Sequence, residues 1–221
     1  MIQNSKGVTP FGYQINRCTM KNYTSLTLPT ELLKDIQSLG VALLTDAENG
    51  KQEIVDQGAI FRIMVCKGGN NICTSDIHNK MYQDIVDSIP VSIQNIITGT
   101  MMLNLKPQKF QRVHIDRSRE CALNLPIKIT PESHLGVYKF ELNKNIPKAM
   151  FDLHPNDQNP NFDLDQDGEK YTMHDPVLLN TKSWHWVDNT KADSVRSIMS
   201  VDINDTPYAE CIDIFKSEGW L

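Results

Sequence analysis

Apolar residues in the first part of the chain recur at helical spacing. The clearest case is the segment 75–89, where four apolar residues lie four positions apart and Pro90 follows: Ile77, Met81, Ile85 and Ile89. Side chains four positions apart share one face of a helix, so this spacing predicts an amphipathic helix that ends before the proline.

A second, shorter apolar pattern predicts a helix from Thr30 to Gly40, because threonine is a common helix cap and glycine often follows the last helical residue. The apolar runs 41–44 and 59–66 are short enough to be strands. Residues 1–90 are therefore expected to mix helix and strand.

The pattern changes after Pro90, where short β-type runs alternate with turn residues. The runs are IITGTMMLNL, FQRVHI, CALNLPIKI, LGVYKFEL, VLLN, WHWV and VRSIMSVDI. Many short strands of this kind predict a β-sandwich or a double-sheet barrel. A final helix is expected from 207 to 221, packed on the outside through Ile212 and Phe215.

A long polar stretch at 156–175 interrupts the strands, and a loop of this length is typical of lids and binding segments. Its residues 163–168, DLDQDG, resemble the start of a calcium-binding loop. His174 stands where such a loop needs its glutamate, so a polar loop is the preferred interpretation.

The length of 221 residues suits one domain. We expect an α/β segment at 1–90 that buttresses a β core at 91–205, followed by a C-terminal helix at 206–221.

Composition narrows the classes of function. A hydrophobic content of 40% predicts a packed core, and a net charge of −5 makes nucleic acid an improbable partner. No apolar run is long enough to cross a bilayer, so no membrane partner is expected. The five cysteines are scattered without a CxxC pair, which favours free thiols in a reducing compartment. We expect a cytoplasmic protein, of a bacterium or of a virus-infected host cell.

One tripeptide has the spacing of a metal site. His114 and Asp116 end the run FQRVHI with Ile115 between them, and residues i and i+2 of a strand point to the same face. His185 lies inside the later run WHWV. Two histidines and one carboxylate form the facial triad of non-haem iron(II) oxygenases, which leaves metal positions open for other ligands.

Arg196 follows His185 by eleven residues. A hairpin between the two strands would bring its guanidinium to the far end of the same cavity, where it could hold a carboxylate. Each of these features alone has an ordinary structural explanation as a turn, a core residue or a solvated charge. Their occurrence together and in this order favours a metal site.

The segments that carry these residues resemble the Fe(II)/2-oxoglutarate-dependent oxygenase superfamily, most of all its aspartyl/asparaginyl β-hydroxylase-like and phage-type branches. The resemblance covers roughly residues 96–204. Its first part is an apolar strand at 103–105, a turn proline at Pro107, the HxD pair His114 and Asp116, a following arginine at Arg119 and Asn-Leu-Pro at 124–126. Its second part is Asn-Thr at 180–181, the distal histidine His185, the asparagine Asn189 and a final arginine, Arg196.

The resemblance implies a mainly β protein, a double-stranded β-helix (jelly roll, cupin-like) with flanking N-terminal helices. It implies that His114, Asp116 and His185 bind Fe(II), and that Arg196 pairs with the distal carboxylate of 2-oxoglutarate. Many members carry Ser or Thr two residues after this arginine, whereas this chain has Ile198. The retained Asp116 argues against a halogenase, in which a small residue leaves room for halide.

Further residues are candidates for contacts around the metal. Asn124 and Asn180 are expected near the cosubstrate, and Arg119, Trp186 and Asn189 near the substrate or behind the ligands. For Asn124, Asn180 and Arg119 a structural role is an equal alternative, and Trp186 is also expected as core or wall.

The expected activity is hydroxylation of a protein side chain or an amino-acid-like molecule, with O2 as oxidant and succinate and CO2 as coproducts. Two alternatives stay open: a cupin-like module that binds metal without turnover, and a nucleic-acid demethylase. The pattern specifies neither the substrate nor the oligomeric state.

Overall fold

The computed structural model describes residues 22–138 and 168–221, and these form two antiparallel sheets with four helices. The strands are β1 Tyr23–Ser25, β2 Val55–Asp56, β3 Ile60–Lys67, β4 Asn70–Asn71, β5 Gly99–Leu105, β6 Phe110–His114, β7 Cys121–Lys128, β8 His134–Tyr138, β9 Gly168–Tyr171, β10 Val177–Asn180, β11 His185–Asp188 and β12 Arg196–Ile203. The helices are α1 Thr30–Glu48, α2 Asp76–Ser88, α3 Val91–Gln94 and α4 Tyr208–Ser217.

From β5 onward, successive strands belong to alternate sheets, as in a jelly roll, except that β8 and β9 are neighbours in the same sheet. The large sheet has the order β1-β10-β7-β12-β5-β3-β2, with β4 beside β3, and the small sheet has the order β6-β11-β8-β9. This arrangement confirms the prediction of a mainly β, double-stranded β-helix (cupin-like) fold with flanking helices.

Side chains at one edge join the two sheets. The Tyr23 hydroxyl on β1 donates to a Glu169 carboxylate oxygen on β9 at 2.8 Å, and the Tyr23 and Tyr171 rings lie 5.2 Å apart. The Asn22 amide also donates to the Tyr138 carbonyl at 2.7 Å. The sheets are therefore closed along the β1–β9 edge, which positions β6 over the opposite side of the large sheet.

The large sheet has apolar residues on both faces. Its outer face packs under α1, α2 and α4 in the largest buried cluster, which includes Leu39, Ile63 and Phe215. Its inner face shares a smaller cluster with the small sheet. Burial of these two faces fixes the register of the long strands, because a one-residue slip would exchange their side chains.

Helix α1 corrects two expectations about the N-terminal segment. It does not end at Gly40 but continues to Glu48, so the predicted strand at 41–44 is helical. A Cβ at position 40 would lie 2.7 Å from the Ile127 side chain. Gly40 therefore permits close packing of α1 on β7 and does not act as a stop signal.

The other elements follow the sequence pattern more closely. The predicted helix at 75–89 is α2, the strand at 59–66 is β3 and the C-terminal helix is α4. Phe215 is fully buried, whereas Ile212 is only partly buried. No helix in the described part of the chain combines the length and apolarity that a bilayer crossing requires.

The polar stretch expected as a loop at 156–175 contains strand β9, so that expectation was wrong for 168–171. Backbone pairing with β8 outweighs the polarity of GEKY, because only one face of this edge strand needs to be apolar. Most of the calcium-loop-like motif, at 163–167, lies outside the described residues. The division of the chain at 90 and 205 stays a prediction.

Candidate metal centre

The pairing of β6 with β11 brings the two candidate histidines together. His114 ends β6 and His185 begins β11, and the two residues are directly opposite in the antiparallel register. Their rings lie 4.2 Å apart, centroid to centroid. The chain continues past His114 to Asp116, whose backbone N–H donates to the Thr181 carbonyl at 2.9 Å. One potential ligand atom from each of the three side chains lies within 4.8 Å of the others.

Backbone carbonyls orient both imidazoles. The Nδ1 of His114 lies 2.7 Å from the Arg112 carbonyl, and the Nδ1 of His185 lies 2.9 Å from the Ser183 carbonyl. A carbonyl can only accept, so each Nδ1 carries the proton and each Nε2 keeps its lone pair. This tautomer suits metal binding through Nε2.

Arg119 holds one oxygen of Asp116 and leaves the other available. Its Nε donates to Asp116 Oδ2 at 2.8 Å, and its Nη1 donates to Asp202 at 2.8 Å and to Ser200 at 3.1 Å. The free oxygen, Oδ1, lies 3.6 Å from His114 Nε2. Asp116 is thus set to offer a single oxygen to an ion between the histidines.

The local electrostatics favour the protonation states that a divalent metal needs. Burial lowers the pKa of His185 to about 3, and burial also lowers the pKa of His114. For Asp116, burial works in the opposite direction, but the charge of Arg119 and the two histidines outweigh it and lower the pKa. At neutral pH the three groups are two neutral imidazoles and one carboxylate, which is the ligand form of each.

Arg196 lies in the same cavity, but not for the reason expected. Strand β12 pairs with β5 and β7 in the large sheet, while β11 belongs to the small sheet, so the predicted hairpin between β11 and β12 was wrong. Arg196 instead extends from the large sheet into the space between the sheets. That space is a cavity that both His114 and His185 also line.

The Arg196 guanidinium is buried without a carboxylate partner among the described residues. Only 3% of the residue is exposed, its Nη2 lies 3.9 Å from the Met173 sulfur, and its Nε has no hydrogen-bond partner. Burial lowers the pKa of Arg196 to about 10, which still leaves it charged at neutral pH. A buried cation in this state is unfavourable unless an anionic group pairs with it.

The remaining candidates differ in their positions. Asn124 lines the cavity and accepts a hydrogen bond from Ser200 at 2.9 Å. Asn180 ends β10, and its side-chain oxygen accepts from the Lys182 N–H of the following turn at 3.1 Å. Asn189 is buried and donates to the backbone carbonyls of Lys106 and Ser194 at 3.1 and 3.0 Å. Asn180 and Asn189 thus hold turns, and their contact with a ligand stays a prediction.

Trp186 is fully buried in a cluster with Trp184 and Phe110. It lies on the face of β11 opposite to His185, directly across from Gly136 of β8. The structure therefore gives Trp186 a core position behind the metal centre.

Gln111 is a further residue at the site that the sequence pattern did not indicate. It lines the cavity, and its side-chain nitrogen lies 3.2 Å from His114 Nε2. The two residues approach each other because the β6–β11 register is irregular between His185 and Val187. A bulge of this kind has no signal in the alternation of polar and apolar residues.

Comparisons with known proteins give a fold but no sequence family. No protein-family model and no curated protein matches the sequence. Among solved structures, AviO1 from Streptomyces viridochromogenes Tue57 is similar with a TM-score of 0.53 and 12% identity, over 86% of this chain and 93% of that one. The non-heme alpha-ketoglutarate-dependent epimerase SnoN from nogalamycin biosynthesis gives a TM-score of 0.54 and 9% identity, over 81% and 77%.

HygX from Streptomyces hygroscopicus, solved with nickel and 2-oxoglutarate bound, gives a TM-score of 0.50 and 9% identity, over 81% of each chain. At these identities the similarity establishes a shared fold.

Proposed function

We propose that this chain is an oxygenase that depends on Fe(II) and 2-oxoglutarate. One observation carries the proposal: two neutral imidazoles that line a cavity have a carboxylate beside them, and a buried arginine in the same cavity has no carboxylate partner among the described residues. A metal site alone would explain the two imidazoles and the carboxylate, and an anion site alone would explain the unpaired arginine. A metal-chelating dicarboxylate explains both.

The three ligand side chains fit Fe(II). His114, His185 and Asp116 offer two nitrogens and one oxygen, which is the 2-His-1-carboxylate set of non-haem iron sites. Arg119 keeps the carboxylate ionised and oriented, and the carbonyls of Arg112 and Ser183 orient the two neutral imidazoles. Such supporting hydrogen bonds strengthen metal binding.

Arg196 fits the distal carboxylate of 2-oxoglutarate. Its planar guanidinium can form two parallel hydrogen bonds with a carboxylate, and burial makes them strong. Ile198, two residues along the same face of β12, lines the cavity at the position where many members of the superfamily carry a hydroxyl. Asn124 also lines the cavity, and its side-chain amide could donate a further hydrogen bond to the cosubstrate.

When bound, Fe(II), 2-oxoglutarate and O2 would supply an oxidation of a substrate C–H bond, with succinate and CO2 as coproducts. The chain's own residues would hold the metal on one face, hold the cosubstrate at its far end and exclude water. Apolar side chains suit the last task, and seven of them line the cavity: Ile60, Leu103, Leu105, Leu135, Leu179, Val187 and Ile198.

The finer proposal is hydroxylation of a protein side chain or an amino-acid-like molecule. SnoN, which shares this fold, is described as an epimerase. The product must therefore be identified directly, by the mass and stereochemistry of the oxidised substrate. The net charge of −5 disfavours a nucleic-acid substrate.

Anaerobic addition of Fe(II) and then 2-oxoglutarate tests the proposal. We expect a visible metal-to-ligand charge-transfer band, which His185→Ala abolishes and Arg196→Met shifts to much higher cosubstrate concentration. His134→Ala is the matched control, since His134 bonds to Thr172 away from the metal centre. A metal-loaded protein that shows no band would instead be a cupin-like binding module.

A further inference from the structure

A second arginine, Arg62, lies on the cavity face of β3. In the β3–β5 register Arg62 is opposite Leu103, and Ile60 is opposite Leu105. Directly paired residues of antiparallel strands project to the same face. Leu103, Leu105 and Ile60 all line the cavity. Ile63, the residue after Arg62, is buried under the helices on the other face of the sheet. The side chain of Arg62 is therefore on the inner wall.

Arg62 is on the side of the cavity near His114. The β1 and β9 edges of the two sheets are joined, so β6 at the other end of the small sheet lies over the β5–β3 side of the large sheet. Arg62 of β3 and His114 of β6 therefore lie on the same side of the cavity.

Arg62 has no anionic partner in the described part of the chain. Its Nε is buried without a hydrogen-bond partner, although the residue as a whole is only partly buried. The nearby carboxylates are already used, since Arg119 binds both Asp116 and Asp202. A buried guanidinium donor without a partner is unfavourable, and an anionic group of a ligand would supply the missing hydrogen bond.

The two unpaired arginines occupy different walls. Arg196 is on β12, and Arg62 is on β3, two strands away or about 10 Å across the sheet. Arg196 is deeply buried, whereas Arg62 retains exposed surface. A cosubstrate held by Arg196 therefore leaves Arg62 for a second anion that approaches from the β3 side.

We propose that Arg62 binds the carboxylate of the prime substrate, which is consequently a small molecule with a free carboxylate, such as a free amino acid. This inference rests on the proposed function and selects between its two substrate classes. Inside a peptide chain only Asp and Glu residues carry a carboxylate, whereas every free amino acid carries one. Arg62 would bind one end of the molecule, and the C–H bond to be oxidised would lie between Arg62 and the metal.

Proton relaxation of a small carboxylate tests this assignment. The protein is loaded with Co(II) and saturating 2-oxoglutarate, and propionate is titrated in, with uncharged propionamide as its isosteric control. Because Co(II) relaxes protons only at short range, we expect faster relaxation of bound propionate and not of propionamide. Zn(II)-loaded protein gives the diamagnetic baseline.

Variants separate a role in substrate binding from other roles. Arg62→Met should weaken propionate binding by roughly tenfold or more, the loss typical of one charge-assisted pair. Arg62→Lys should retain part of the binding, and Lys67→Met, an exposed charge on the same strand, should change nothing. Circular dichroism checks that each variant is folded.

Three results would overturn the assignment: equal relaxation of propionamide, unchanged propionate binding in Arg62→Met, or a rise in the 2-oxoglutarate requirement of Arg62→Met as large as that of Arg196→Met. Failure of the wild-type protein to bind Co(II) and 2-oxoglutarate is a separate outcome. It would sink the proposed function, and this inference with it.

Discussion

His114 and His185 lie directly opposite each other on neighbouring antiparallel strands, with their ring centroids 4.2 Å apart. A metal between them would cross-link β6 to β11 in the folded state only. We therefore expect Ni(II) to raise the melting temperature of the wild-type protein and to have little effect on His185→Ala. At a hundredfold excess over Kd the gain is about 2.7 kcal/mol, or roughly 5–10 °C for a chain of this size. Differential scanning fluorimetry measures it, and an equal gain in His185→Ala would exclude this site.

Arg119 should tune the metal site without touching the metal. Its substitution by Gln removes the charge that holds Asp116 Oδ2 and leaves Asp202 without its partner. We expect a loss of metal affinity of about 10–100-fold, as is usual when a supporting partner of a ligand is removed. Calorimetric titration with Ni(II) measures it. The exposed neighbour Arg117, changed to Gln, is the control, and equal affinities of the two variants would contradict the role of Arg119.

The buried charge of Arg196 should lower the stability of the apoprotein, although the same charge is expected to bind the cosubstrate carboxylate. A buried charge without a partner is unfavourable, so Arg196→Met is expected to leave stability unchanged or to raise it by about 1–4 kcal/mol. Urea unfolding of the metal-free protein measures this change. In the same variant, 2-oxoglutarate added with metal should no longer stabilise the fold. A strongly destabilised Arg196→Met protein would indicate that the guanidinium has a structural partner instead.

Gly136 should be sensitive to the smallest enlargement. Its Cα lies across from Trp186, and a Cβ at this position would overlap the indole ring. Gly136→Ala is expected to cost about 1–3 kcal/mol, the usual range for overpacking a core. Thermal unfolding measures the loss. Gly50→Ala serves as a comparison. Its added methyl group meets no atom, so a loss of stability there would come from the positive backbone φ of 69° and not from overpacking.

Tyr23 should make the fold sensitive to alkali. Burial, together with the hydrogen bond to Glu169, raises the pKa of Tyr23 to about 12. Between pH 10 and 12 the unfolded chain has lost this proton while the folded chain retains it, so stability falls as pH rises through this window. Tyr23→Phe should show a shallower fall in urea unfolding at pH 9 to 11. Burial also raises the pKa of Tyr208 to about 12, so some of the slope remains.

Local patterns in the sequence are sufficient for most of the longer strands and for half of the metal site, but not for β9 or for the helical segment 41–44. His114 ends β6 and Asp116 follows two residues later, so the HxD spacing alone keeps these two side chains close together. The same holds for α2, whose apolar residues repeat at the helical period and whose end is marked by a proline. These features depend on backbone geometry over a few residues, and the order of motifs around them was enough to indicate the jelly-roll fold.

Contacts between distant segments cannot be predicted from such local patterns. The apposition of His185 with His114 needs the pairing of two strands 70 residues apart, and the approach of Arg196 needs a second sheet packed across the first. Gly40 looked like a helix stop, yet it meets Ile127 of β7. Arg62 had no local signal, because only the β3–β5 register and the closure of the sheets bring it to the metal centre. Burial of both faces of the large sheet selects these pairings, since each side chain's environment depends on which strands lie beside and above it.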